Sequence, residues 1–385
     1  MTSFLATILL AGSLSISAQT IAQLSPAQKK ITLAQQAIDK TPKQVRAYNE
    51  LARGLLDRAR ESGDSSYLEQ AAKIVDKSLA LDKDNYEGQR AMAGILLARH
   101  EYERALELAK ALHKRNMDDL IAWGEITDAE IALGRYADAE KSAQWMLDLR
   151  PGDAGSLERG ARLRELFGNA DGAAQLWILA FRAAPDNESE YRALLLVEYG
   201  YSQLRAGKVE EADKQMTQAL QTFPGYHAAL RGSAKVRMAQ QRYGDAVELL
   251  RKSAYPTMED KYLLAEALDK AGQGDASKRA FAEFEREASA ASASPYNANR
   301  ELSLYYANRA GKPADALRVA RVEAGRRQDI GTLDALAWAS HASGNDAEAR
   351  KQIDKVLAVG TRDPEILAHA SEIAQKLKLK AEIAR

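Results

Sequence analysis

Cysteine is absent from the 385-residue chain, which removes disulfides, thiolate zinc sites, iron–sulfur clusters and cysteine nucleophiles at once. The five histidines, at 100, 113, 227, 341 and 369, include no close pair at metal-ligand spacing. Two carboxylate pairs remain as candidates for acid–base work, Asp118–Asp119 and Glu210–Glu211. Both fall beside expected inter-helix turns, where a carboxylate near a helix N-terminus offsets the helix dipole. No phosphate loop, nucleotide-binding glycine motif, paired-histidine metal motif or nucleophile elbow occurs. The residues therefore predict no enzyme, no cofactor and no metal.

Charge narrows the partners further. Lysine plus arginine total 54 and aspartate plus glutamate total 54, so no basic excess draws the chain to nucleic acid or an anionic membrane surface. With 46% hydrophobic and 28% charged residues the composition is that of a folded protein. What is left to do work is shape, and shape depends on the elements.

Those elements announce themselves as a ladder of small residues. Ala71, Ala105, Ala139 and Ala173 stand 34 residues apart, and Ala212, Ala246, Ser277, Ala316 and Ala349 continue at intervals of 39, 34, 31, 39 and 33. Each follows a turn such as Leu133-Gly134-Arg135-Tyr136 and precedes an apolar helix, several of which end at Pro151, Pro185 or Pro224. Within Tyr136–Leu149 the apolar positions 136, 139, 143, 146, 147 and 149 recur at helical steps. A small ladder residue lets two helices approach closely. Gly134, Gly168, Gly207, Gly272, Gly311 and Gly344 suit helix C-caps, where positive φ costs glycine little.

This pattern resembles the tetratricopeptide repeat (TPR) family. The third unit carries it best, with Trp123, Ile126 and Thr127, then Gly134, Tyr136, Ala139 and Pro151; the fifth has Leu196, Tyr199, Gly200, Gly207, Ala212, Met216 and Pro224. The chain departs from the family at Ala143, where a large apolar residue is usual, and at Lys83 and Met117, which replace the closing proline. The resemblance covers residues 43 to 361 and implies an all-α fold, a right-handed α-solenoid of stacked helix–turn–helix hairpins. Its exported bacterial type is suggested by the N-terminus alone.

That N-terminus has an apolar run from Phe4 to Leu14, too short for a bilayer and suited to a signal peptide ending after Ala18 or Ala22. It lacks a basic leader, since no Lys or Arg precedes Lys29, so an uncleaved anchor near a membrane is the alternative. The expected organisation is 1–22 signal or anchor, 23–42 capping helix, 43–287 units one to seven, 288–295 an Ala/Ser linker or hinge, 296–361 units eight and nine, and 362–385 a capping helix. An insertion at Glu61–Ser66 is expected to lengthen the turn of the first unit.

In this family the first helices of successive units line a concave groove that holds extended segments. Aligning each first helix on its ladder residue points Arg53, Arg90 and Arg162 inward at the front, Tyr201, Arg231 and Lys235 in the middle, and Tyr262, Tyr305 and Trp338 at the back. Arginine forks suit carboxylates, and aromatic platforms anchor partners. Some relatives clamp a chaperone's C-terminal carboxylate, but here Asn49, Arg53 and Arg90 match that pattern loosely and its paired lysines are missing. The expected function is a noncatalytic interaction scaffold binding a protein or peptide partner, extracytoplasmic, in a bacterial envelope or secretion complex. Two other readings stay open: a glycan or polysaccharide-export accessory protein, and a cytosolic adaptor with an uncleaved first helix.

Overall fold

A computed structural model describes residues 24–294 and 296–383, so the apolar leader and Pro295 lie outside the described residues. Among those described there are twenty α-helices and no strand. Helix α1 (Pro26–Lys40) caps the front. Four hairpins follow: α2 (Val45–Ser62) with α3 (Ser66–Leu81), α4 (Tyr86–Ala98) with α5 (Tyr102–Arg115), α6 (Leu120–Ala132) with α7 (Tyr136–Leu149), and α8 (Ala154–Leu166) with α9 (Ala170–Ala183). The fifth and sixth are α10 (Ser189–Arg205) with α11 (Val209–Thr222), and α12 (His227–Ala239) with α13 (Tyr243–Arg251). The last three are α14 (Met258–Lys270) with α15 (Gly274–Ala291), α16 (Asn299–Asn308) with α17 (Pro313–Ala324), and α18 (Ile330–Ala342) with α19 (Asp346–Ala358). Helix α20 (Pro364–Ile383) closes the back.

Each hairpin packs on the next, giving a right-handed TPR-like α-solenoid. The ladder residues sit where two helices of a hairpin cross. All eight alanines have 0% exposure and Ser277 has 3%, its hydroxyl donating 3.0 Å to the Ala265 carbonyl. The apolar interior is a string of separate clusters instead of one core, the arrangement of a solenoid whose units contact only neighbours. At the back, Ile366 and Ile373 of α20 complete the cluster of Ile353 and Val356.

Two details differ from the sequence expectation. The extra residues of the first unit lengthen helix α2, which runs to Ser62, and leave a turn of only 63–65. Glu61 sustains that extension, since its carboxylate is buried and accepts from Ser25 Oγ at 2.5 Å and the Ala27 amide at 2.9 Å, so the last turn of α2 docks the start of α1. Likewise, residues 288–291 of the expected linker belong to α15, with Ala288 fully buried against the cluster of Phe284 and Leu302. Beyond it, Arg326 donates to the carbonyls of Ser294 and Ala293 at 2.9 and 2.8 Å, and Asn299 Nδ2 to that of Ser292 at 3.1 Å.

The solenoid also curls until its second turn touches its first. His227 Nε2 donates 2.9 Å to the Arg60 carbonyl, and the Arg60 guanidinium meets Glu190 at 3.4 Å. Glu69 accepts from both Arg99, at 2.6 Å, and the Tyr296 hydroxyl, at 2.8 Å. The Gln328 amide donates 2.9 Å to the Ala132 carbonyl and the Ile330 amide 2.8 Å to the Tyr136 hydroxyl. Inter-helix turns of the early units thus rest on the loops that lead into the first helices of the late units, forming a polar seam.

Candidate functional site

The first helices form the inner face, and their side chains are tied from unit to unit. Arg53 of α2 meets Glu87 of α4 at 3.1 Å. Arg90 of α4 meets Asp119, the N-cap of α6, at 2.8 Å, and Tyr86 donates to the same carboxylate at 2.7 Å. Arg162 of α8 meets Asp128 of α6 at 3.2 Å and Glu158 at 2.9 Å. Burial pushes the Asp119 carboxyl up, but the Tyr86 and Arg90 hydrogen bonds outweigh it and hold it below the usual range. The three front arginines therefore act as staples between consecutive first helices.

At the back the aromatic residues pack on one another. Tyr262 lies against Phe284 at 5.2 Å, and Tyr305 stacks on Phe281 at 5.2 Å, so both belong to the contact between units seven and eight. Trp338 stacks on His369 at 4.2 Å and His341 at 5.2 Å, and its indole N–H donates 2.6 Å to Asn308.

The middle three residues converge. A cavity of about 530 Å³ opens between α10, α12 and Glu259 on one side and the turn of the first unit on the other, where Arg60, Gly63 and Ser65 form its wall. Tyr201 of α10 and Arg231 and Lys235 of α12 all line it. Lys235 Nζ lies 5.3 Å from the Tyr201 ring centre and 2.7 Å from Glu259, which also meets Arg231 at 2.6 Å. Burial pushes the Glu259 carboxyl up, yet the Lys235 and Arg231 charges outweigh it and hold it at about 2. Burial raises the Tyr201 hydroxyl, so it stays protonated and can donate. The same burial raises the Glu198 carboxyl.

Four charged lining residues escaped the sequence reading: Arg60, Glu198, Arg205 and Glu259. Glu198 stands one helical turn before Tyr201, so spacing alone could have found it. Arg60 reaches the cavity only because the solenoid closes on itself, and no local pattern reports that.

No family model matches the chain, and no curated protein does. Among solved structures it is similar to a chain of the APC/C hetero-tetramer Cut9–Hcn1, with TM-score 0.55 and 12% identity over 92% of this chain and 61% of that one. It spans about three fifths of that protein's length. It is also similar to human IFIT1, seen as a dimer with m7Gppp-AAAA, with TM-score 0.55 and 14% identity over 89% of this chain and 79% of that one. At such identities the likeness is one of fold, and the class it defines is a TPR-like helical-repeat protein.

Proposed function

We propose that this protein is a noncatalytic scaffold that holds segments of partner proteins against the inner face of its solenoid. The observation that carries the reading is the convergence of Tyr201, Arg231 and Lys235, from successive first helices, on one cavity of a size that admits a short peptide segment. Stacked first helices supply a continuous inner surface, which is how solenoids bind extended ligands. The apolar Phe4–Leu14 leader supports the further proposal that the scaffold works outside the cytoplasm and helps assemble a bacterial envelope or secretion complex.

Crosslinking pull-down from the native host, read by mass spectrometry of bait and prey, tests both parts. A trimmed bait N-terminus and envelope prey, with capture weakened by Lys235→Gln, are the expected results. An intact Met1 with cytosolic prey would move the scaffold to the cytoplasm, and capture indifferent to Lys235→Gln would remove this cavity from the binding surface.

A further inference from the structure

Glu198 and Tyr201 stand one turn apart on α10 and line the same cavity. The other charged side chains of its wall are each paired: Arg60 with Asp57 and Glu190, Arg205 with Glu165, and Arg231 and Lys235 with Glu259. Glu198 has no hydrogen bond or ion pair, and the more distant charges around it are those of Arg162 and Arg205 and of Glu158 and Glu165. The Tyr201 hydroxyl is fully enclosed beside the Arg231 guanidinium, which can only donate to it, so the phenol's own proton has no acceptor. A buried polar group left unmatched inside a protein is a group waiting for a ligand or water.

The two groups are complementary. Tyr201, flanked by Arg231 and Lys235, has a proton to donate, and Glu198 can only accept once ionised. Side chains three residues apart on a helix lie about 5–6 Å from each other at Cβ. One residue of an extended chain presents its N–H and its C=O to the same side, as strand partners in a sheet do. An extended main chain therefore offers the matching donor and acceptor. The alternatives fit less well. An unpaired carboxylate repels a phosphate backbone, and the Tyr201 ring already carries the Lys235 ammonium where a sugar would stack.

Resting on the scaffold reading above, we propose that the cavity binds an extended peptide through its main chain, with one residue's N–H on Glu198 and its C=O on Tyr201. Leu194 and Val197 give the segment an apolar floor, and the free Nη atoms of Arg205 lie ready for an acidic side chain or a further carbonyl. Because Arg60 and Ser65 close the opposite wall, a bound segment touches both superhelical turns and fastens the seam between them.

The test uses the full chain. A displayed library of random dodecapeptides is enriched on the protein, and an enriched peptide is resynthesised with a fluorescein label. Its affinity is then read by anisotropy for wild type, Tyr201→Phe, Glu198→Gln and, as a control on a second helix, the exposed Lys141→Gln, and with each peptide amide N-methylated in turn. The proposal expects about a tenfold loss for each of the first two variants, as for one charge-assisted or buried hydrogen bond, no change for Lys141→Gln, and one N-methyl position that abolishes binding. The N-methyl scan needs only wild-type protein, so it stands if a variant misfolds. Enriched peptides indifferent to Tyr201→Phe, Glu198→Gln and N-methylation would overturn this site and leave the inner-face scaffold standing. Failure to enrich any peptide would overturn both.

Discussion

The α-carbon of Gly134 faces the backbone of Gln328 so closely that a Cβ there would lie 2.6 Å from the Gln328 carbonyl oxygen. Two residues earlier, the Ala132 carbonyl accepts the Gln328 amide at 2.9 Å. Gly134 belongs to a turn in the third unit and Gln328 to the loop that leads into α18 of the ninth. Their contact is one close point of the seam, and it makes a one-carbon substitution informative.

Gly134→Ala and Gly272→Ala both place a side chain at positive φ, +70° and +75°, but the turn at Gly272 has nothing within 4 Å. The left-handed conformation costs each variant about 1–2 kcal/mol. Overpacking at the seam adds about 1–3 kcal/mol to Gly134→Ala alone. Urea denaturation of the two variants side by side should therefore show Gly134→Ala as the less stable, and equal midpoints would mean the seam is absent in solution.

Ala139→Leu should destabilise the third and fourth units by about 1–3 kcal/mol, because the site has 0% exposure where α7 crosses its neighbours. Hydrogen exchange localises the effect. Loss of protection in α6 to α9 is expected, and it can pass across the seam to α18, with little change in α12 to α15, since solenoid units sense mainly the units they touch.

Arg53 and Arg90 look alike along the sequence and should behave differently. The Arg90–Asp119 pair is largely buried, with side-chain exposures of 17% and 6%, while Arg53 and Glu87 are 46% and 43% exposed. Arg90→Ala strands the Asp119 carboxylate and should cost about 3 kcal/mol. Arg53→Ala should stay within about 0.5 kcal/mol. Thermal melts decide it, and an indifferent Arg90→Ala would contradict the stapling role.

His369 Nδ1 lies 3.0 Å from both oxygens of buried Asp334, with Trp338 stacked on its ring and Glu365 and Arg300 nearby. Burial lowers its pKa, but the Asp334 hydrogen bond and charge outweigh burial and raise it above 6.5. A raised histidine stabilises the fold fully below its unfolded pKa and loses that contribution as pH rises through the folded value. His100, His227 and His341 are lowered, chiefly by burial, and work in the opposite sense. The readout is thus the stability difference between wild type and His369→Gln, expected to be largest on the acid side of 6.5 and to shrink above it. A difference independent of pH would rule the pairing out.

The ladder from Ala71 to Ala349 was legible because helix crossing constrains residue size at a fixed period, which a sequence displays directly. Tyr201, Arg231 and Lys235 were placed on one surface for the same reason: successive first helices repeat their register. Other features depend on chemistry between distant residues. Arg90 and Arg162 look free until Asp119 and Asp128 of the neighbouring unit are in place, and Tyr262 and Tyr305 look exposed until Phe281 and Phe284 pack on them. The lengthened α2 hangs on Glu61 meeting Ser25 and Ala27, a contact the turn-like run Ser62-Gly63-Asp64 conceals. Curvature is the hardest to foresee, being the sum of small rotations at every interface, and it brings Arg60 to the cavity.

Closure of the solenoid is the claim on which the composite cavity stands, and a chain without cysteine suits a direct distance measurement. Spin labels on Arg135→Cys and Gln328→Cys, read by double electron–electron resonance on the full chain, report the gap across the seam. The closed form predicts one short, narrow distance. An uncurled array, with the third and ninth units separated by several hairpins at about 8–10 Å per packed helix, would give a broad distribution beyond about 40 Å, and that result would contradict both the seam and the cavity it completes.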